Sequence, residues 1–188
     1  MTGCTATKEL NYAGNARENL ADVFEGNYYI CETATYNGIT TVSETMEGEN
    51  VRFCRMTNDV SDVRIIDNGN CVYIIDEIND KCTVQSVVND DVFRSQAKFL
   101  ESVFAVAVTD ENFVEKVVSE ADKTVYELYR VDGTYWKFTF DGTTLTKIEN
   151  LASDMSEIAR YEYIIEPDTF YDEKIKITEK YEITDMTK

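Results

Sequence analysis

The chain contains no histidine and a single proline, Pro167, among its 188 residues. Without histidine there is no Ser-His-Asp or Cys-His nucleophile pair, no His-ligated zinc and no imidazole base near neutral pH. Positive charge is also scarce. Eighteen Lys and Arg stand against 36 Asp and Glu, a formal net charge of −18. Such a balance argues against nucleic acid, whose phosphates call for Lys and Arg, and against electrostatic docking on anionic lipid. No stretch approaches the ~20 apolar residues of a membrane-spanning helix. The sequence is still not that of a disordered chain, because 43% of it is apolar and 12% aromatic, enough to offset ordering entropy in one domain-sized core.

Five cysteines are present, Cys4, Cys31, Cys54, Cys71 and Cys82, with none beyond residue 82. No pair has CxxC spacing, so no zinc site is expected. The pair Gly3-Cys4, followed by Thr5-Ala6-Thr7, resembles the end of a bacterial lipobox, in which the cysteine carries diacylglycerol after cleavage. Residues 1–7 are therefore expected to be a tether with Cys4 lipidated, and residues 8–188 a single domain. Cys31, Cys54, Cys71 and Cys82 admit two readings: two disulfides in an oxidising exterior, or reduced thiols packed as small hydrophobes.

Residues 8–24 place Leu10, Ala13, Arg17, Leu20 and Phe24 at helical spacing, with Gly26-Asn27 as the stop. From residue 28 the period changes to two. Residues 28–36 end at Asn37-Gly38, a strong hairpin signal, and turn signals then recur about every ten residues as in an antiparallel meander. A second helix is expected around residues 93–104, capped from 89–91, with Phe93, Ala97, Leu100 and Phe104 on one face. Further strands are expected at 113–119, 125–131, 135–140, 144–149, 158–165 and 173–183. In the last, Ile175, Ile177, Tyr181 and Ile183 alternate with charged residues. The expected fold class is α+β: a large curled antiparallel sheet, an unclosed half-barrel, with two helices covering its concave face.

The order of these elements resembles the lipoprotein-carrier superfamily that includes LolA, LolB, LppX and LprG. The similarity lies in the first helix running into Tyr28-Tyr29-Ile30, the hairpin at Tyr36-Asn37-Gly38 and the strand Val51-Arg52-Phe53. It continues in residues 67–76 with Lys81, and in residues 138–148. The resemblance implies an apolar cavity under a helical lid, accepting acyl chains, in an extracytoplasmic carrier; several members of the group are themselves lipoproteins, which agrees with Gly3-Cys4.

Trp136, Phe138 and Phe140 fall on one face of one strand, and Leu100 and Phe104 are expected to face them from the helix. These five either line a ligand cavity or form plain core. Tyr28, Tyr29, Tyr36, Tyr126, Tyr129, Tyr161 and Tyr163 lie on expected strands and suit half-buried sheet positions or a recognition surface. The carboxylates are scattered over turns, and no calcium-loop spacing occurs. The expectation is a non-catalytic envelope lipoprotein, without metal or cofactor, that binds a lipid or other hydrophobic molecule. The alternative is a surface-anchored module with a filled core that meets an envelope protein or a glycan.

Overall fold

The structure, a computed structural model, describes residues 27–86, 90–119 and 124–187. Twelve strands form one sheet: β1 (Tyr28–Tyr36), β2 (Ile39–Glu47), β3 (Arg52–Asn58), β4 (Ser61–Asp67), β5 (Val72–Asp76), β6 (Lys81–Gln85), β7 (Phe113–Val118), β8 (Thr124–Val131), β9 (Thr134–Asp141), β10 (Thr144–Leu151), β11 (Glu157–Pro167) and β12 (Glu182–Asp185). One α-helix, α1 (Ser95–Ala107), lies between β6 and β7.

The spatial order is β12-β6-β5-β4-β3-β2-β1-β11-β10-β9-β8-β7. The sheet therefore has two ends, β12 and β7, and does not close. Tight turns drive the meander: Asn37-Gly38 and Asp132-Gly133 all have positive φ, the geometry that matches a two-residue turn to the right-handed strand twist. The two arms of the meander meet where β1 pairs with β11 over its whole length, from Tyr28 opposite Pro167 to Tyr36 opposite Ala159. Pro167 thus ends a strand, where a missing N–H is tolerated, and does not lie in the loop between the strands expected at 158–165 and 173–183.

The expectation of an α+β fold with two covering helices is corrected. The described residues are mostly strand, with one helix over the sheet; the helix expected at residues 8–24 lies outside them. The unclosed, curled sheet itself is as expected, and it holds twelve strands. α1 begins at Ser95, with Arg94 at its N-cap and no side-chain cap hydrogen bond, so the expected capping at 89–91 is corrected as well.

Residues 173–183 are not one strand. Asp172–Ile175 form a short 3-10 turn, residues 176–181 run without strand pairing, and only Glu182–Asp185 enter the sheet, parallel to β6. Alternation there reflects side chains dipping toward an underlying surface, a pattern that requires no hydrogen-bonded neighbour. After β11 leaves the middle of the sheet, the chain crosses its face and joins the far edge, which is why this last pairing alone is parallel.

Successive strand residues point to opposite faces, and both faces carry a core. Tyr28 and Ile30 belong to a cluster with Tyr129, Phe138, Ile148 and Tyr163 beneath α1. Their neighbour Tyr29 belongs to a second cluster with Met46, Phe53, Ile66, Ile75 and Cys82. The second is covered by Phe170, Tyr171, Ile175, Ile177 and Tyr181, the strap between β11 and β12.

Candidate functional site

Beneath α1, period two in β9 sends Trp136, Phe138 and Phe140 to the helix-covered face, while the helical period sends Leu100, Val103, Phe104 and Ala107 down to meet them. Four of the five expected site residues, Leu100, Phe104, Phe138 and Phe140, are buried in one cluster, and Trp136 packs beside it partly buried. The Phe104 and Phe138 ring centroids are 4.8 Å apart, and Tyr129 stands edge-on to Phe138 at 5.6 Å. One contact is tilted and the other edge-to-face, at the distances of packed aromatic rings.

Polar groups in this layer are paired in a regular way. Tyr129 donates its hydroxyl hydrogen to Glu127 at 2.9 Å, and Lys116 approaches the same carboxylate at 3.4 Å. Tyr163 donates to Glu32 at 2.8 Å, and Tyr28 to Glu47 at 3.0 Å. Burial raises the Glu32 carboxyl above its ordinary range although the Tyr163 hydroxyl opposes the shift. Thr45 donates to the Gln96 side-chain oxygen, whereas the Gln96 amide nitrogen is buried without a hydrogen-bond partner.

The opposite face is held differently. Arg64 donates to the backbone carbonyls of Lys174 and Lys176 at 2.7 and 2.9 Å and to the Tyr181 hydroxyl at 2.9 Å. Its Nε lies 2.9 Å from Glu77, which also receives Tyr181 and Lys180. Glu44 receives Tyr29 at 2.6 Å and pairs with Lys174. Burial alone would raise the Glu44 and Glu77 carboxyls, but their hydrogen bonds and the neighbouring cations hold both below the ordinary range.

Tyrosine thus serves inside the protein more than the sequence suggests. Of the seven strand tyrosines considered for a recognition surface, Tyr28, Tyr29, Tyr129 and Tyr163 are buried with hydroxyls on carboxylates, and Tyr161 packs on Phe99 at 4.7 Å. That part of the recognition reading is corrected: a buried ring needs a hydrogen-bond partner for its hydroxyl, and in this acidic chain the partner is a carboxylate. No local signal marks these pairs, since most of the partners come from different strands.

Cys31, Cys54, Cys71 and Cys82 are free thiols. Strand geometry explains why: Cys31 on β1 and Cys82 on β6 are separated by four strands, and Cys54 lies on the face opposite Cys31, beyond the reach of a disulfide. Burial pushes the Cys54 thiol up to about 11. Cys4 and the tether lie outside the described residues. Among the described residues no helix is long and apolar enough to cross a membrane.

A cleft of about 620 Å³ lies between the β2–β3 and β4–β5 turns. Its walls are polar, from Glu47, Glu49, Asn50 and Arg52 to Asp67, Asn68 and Asn70, with Arg52 paired to Asp67. It contains none of the five expected site residues.

No protein-family model matches the chain, and no curated protein matches it. Among solved structures it is similar to an uncharacterized conserved protein from Thermus thermophilus, with TM-score 0.50 and 5% identity over 93% of this chain and 99% of that one. A chain of the Pseudomonas aeruginosa MucA/MucB complex aligns with TM-score 0.49 and 12% identity, over 92% of this chain and 63% of that one. A LolA superfamily protein from Nitrosomonas europaea aligns with TM-score 0.33 and 7% identity, over 90% and 99%. The Thermus protein shows a shared fold across nearly the whole of both chains. At such identities the likeness is one of fold, and membership of the lipoprotein-carrier superfamily does not follow from it.

Proposed function

We propose that this is a non-catalytic binding protein of the cell envelope that works through its surface, over an interior filled by its own side chains. The packing of the expected cavity residues carries this reading: Leu100, Phe104, Phe138 and Phe140 are buried against one another and against Tyr129. The non-catalytic part is supported by how the carboxylates are used. Glu127, Glu44 and Glu77 are each held by a tyrosine hydroxyl and a cation, which makes them structural counter-charges. The envelope assignment, extracytoplasmic and membrane-anchored, rests on Gly3-Cys4, with diacylglycerol on the Cys4 thiol as the anchor.

One observation favours a second reading, a carrier for a lipid acyl chain or other hydrophobic molecule. The buried Gln96 amide nitrogen lacks a partner under the start of α1, and a ligand carbonyl or headgroup oxygen arriving there would satisfy it. Native mass spectrometry of the protein purified from its own host separates the two. The filled-interior reading expects the bare protein mass; a co-purified lipid that is lost in Gln96→Leu would replace it with the carrier reading. The anchor is tested separately: partitioning of the processed precursor into a detergent phase is expected to vanish in Cys4→Ala, and unchanged partitioning would refute it.

A further inference from the structure

The register of the sheet brings four hairpin tips with exposed apolar residues to one end. Tyr36 pairs with Ile39, Asn58 with Ser61, Asp76 with Lys81 and Leu151 with Glu157, so these four hairpins all turn at the same end of the strands. The cross-hairpin pairs agree: Val42 opposes Thr57, Val63 opposes Asp76, and Tyr36 opposes Ala159. In spatial order the tips are β5–β6, β3–β4, β1–β2 and β10–β11. With strands about 4.8 Å apart and two strands per hairpin, the row spans about 30 Å.

Each of these four tips carries a large apolar side chain in solvent: Ile78, then Val60, then Tyr36 and Ile39, then Met155; the β8–β9 turn at Asp132-Gly133, at the same end, carries none. Val60 is 85% exposed and Ile39 67%, so neither contributes to the core. Turn chemistry does not ask for them either, since the Asn58 side chain already accepts the Val60 backbone N–H at 3.0 Å, a bond any residue at 60 other than proline would make. Isolated apolar residues on a surface are ordinary. These are not isolated, because six of the fourteen exposed large apolar side chains of the described residues lie in residues 36–39, 57–62, 76–81 and 151–158. The turns at the opposite end, 48–51, 68–71 and 142–143, contribute none, and the exposed Val117 and Val118 near that end lie on the edge strand β7.

Between the apolar tips the rim is acidic. Residues 36–39, 57–62, 76–81 and 151–158 together contain seven carboxylates and one lysine. Asp62 and Glu77 are turned inward onto Arg55 and Arg64, while Asp59 and Asp154 are exposed on the rim, as are Asp80 and Glu157 beside Lys180 and Arg160.

We propose that this row of hairpin tips is a protein-docking edge for a basic partner segment in which Lys or Arg alternates with apolar residues. Apolar side chains of the partner cover Ile78, Val60, Ile39 and Met155 in turn, and its cations lie against the carboxylates between them. Charge decides the occupant: an anionic lipid surface is repelled by the same carboxylates, and a second copy of this chain would bring like charge to like. The docking edge rests on the reading of the protein as one that works through its surface.

The test uses the purified chain and fluorescence anisotropy with three labelled synthetic peptides: an amphipathic Lys/Ile peptide, its Glu/Ile counterpart and a Lys/Ser peptide of equal charge. Saturable binding is expected for Lys/Ile alone. The triple variant Ile39→Ser, Val60→Ser, Ile78→Ser, whose fold is checked by its thermal transition, is expected to weaken it about tenfold or more. Ile164→Ser with Ile183→Ser, which removes exposed apolar residues elsewhere, is expected to leave it unchanged.

Equal binding of Lys/Ser, or equal weakening by both variants, would reduce the effect to net charge and overturn the proposal. So would tip-dependent adsorption to phosphatidylcholine vesicles without peptide binding, which makes the edge a lipid contact, or tip-dependent dimerisation, which makes it a self-contact. The two readings fail separately. A co-purified lipid removes the filled interior and leaves the peptide result standing, whereas peptide failure with a bare protein mass removes only the docking edge.

Discussion

The two covered faces of the sheet are built on shared strands and closed by different chemistry. Under α1 the cover has its own backbone hydrogen bonds, so it need only present Leu100, Val103, Phe104 and Ala107 to the aromatic layer below. The strap over the other face has no such ladder across residues 176–181. Its carbonyls at Lys174 and Lys176 find their partner in Arg64, and its charged side chains Lys174 and Lys180 reach Glu44 and Glu77. A cover without regular structure must satisfy backbone carbonyls from outside, and a guanidinium with five donors does this while pairing with a carboxylate. The comparison teaches that both faces bury an apolar cluster and tyrosine–carboxylate bonds, and that the strap side adds a guanidinium to satisfy the carbonyls of its irregular cover.

The sharpest way to break that contrast is to remove a fully buried ring at the centre of the helix side. Phe138→Ala is expected to cost about 3–5 kcal/mol in chemical denaturation, because a fully buried ring leaves a cavity among close neighbours. A loss under about 1 kcal/mol would mean that the layer is loosely packed and open to a ligand. On the strap side Arg64→Met should cost less, about 2–3 kcal/mol, as hydrogen bonds to a charged group are lost. Hydrogen exchange should then rise across residues 172–185 and stay unchanged in α1; exchange rising equally in both would show that the faces are one cooperative unit.

Acid should separate the faces without mutation. Glu44 and Glu77 titrate below the ordinary carboxylate range, so their contribution is complete above the unfolded value, about 4.3, and is lost as pH falls through the lower folded values. Glu32 has the opposite sign: its folded value is raised, so its ionised form weakens the helix side at neutral pH and the penalty is relieved on acidification. Accordingly Glu32→Gln should raise the melting temperature at about pH 7, with a gain that shrinks as pH falls toward about 4. Over the same descent exchange in the strap should increase only at the acidic end, and a strap that opens first near neutral pH would contradict this assignment. The smallest effect is expected at Ile164→Ser, an exposed site beyond both covers, within about 0.5 kcal/mol of the parent.

Much of this was legible locally. Asn37-Gly38 marks its hairpin because both residues accept positive φ, and Phe93, Ala97, Leu100 and Phe104 mark the buried stripe of α1 and its approach by spacing alone. Trp136, Phe138 and Phe140 were readable as one face of β9, although not as partners of Tyr129. Residues 173–183 misled because alternation is also what an unpaired strap shows when every second side chain is anchored. The tyrosine–carboxylate pairs were invisible for a different reason: Tyr163 and Glu32 are 131 residues apart, and only the β1–β11 pairing makes them neighbours.

The sequence by itself determined a histidine-free, strongly acidic chain of short strands with strong turns and a helical stripe before β7, since these follow from side-chain chemistry and from periods counted over a few residues. Only the tertiary structure decided that β1 meets β11, that the chain returns across the sheet to end parallel to β6, and that the apolar hairpin tips share one end. Those outcomes depend on strand order and register, which are settled by the summed burial of both faces at once and leave no mark at any single position.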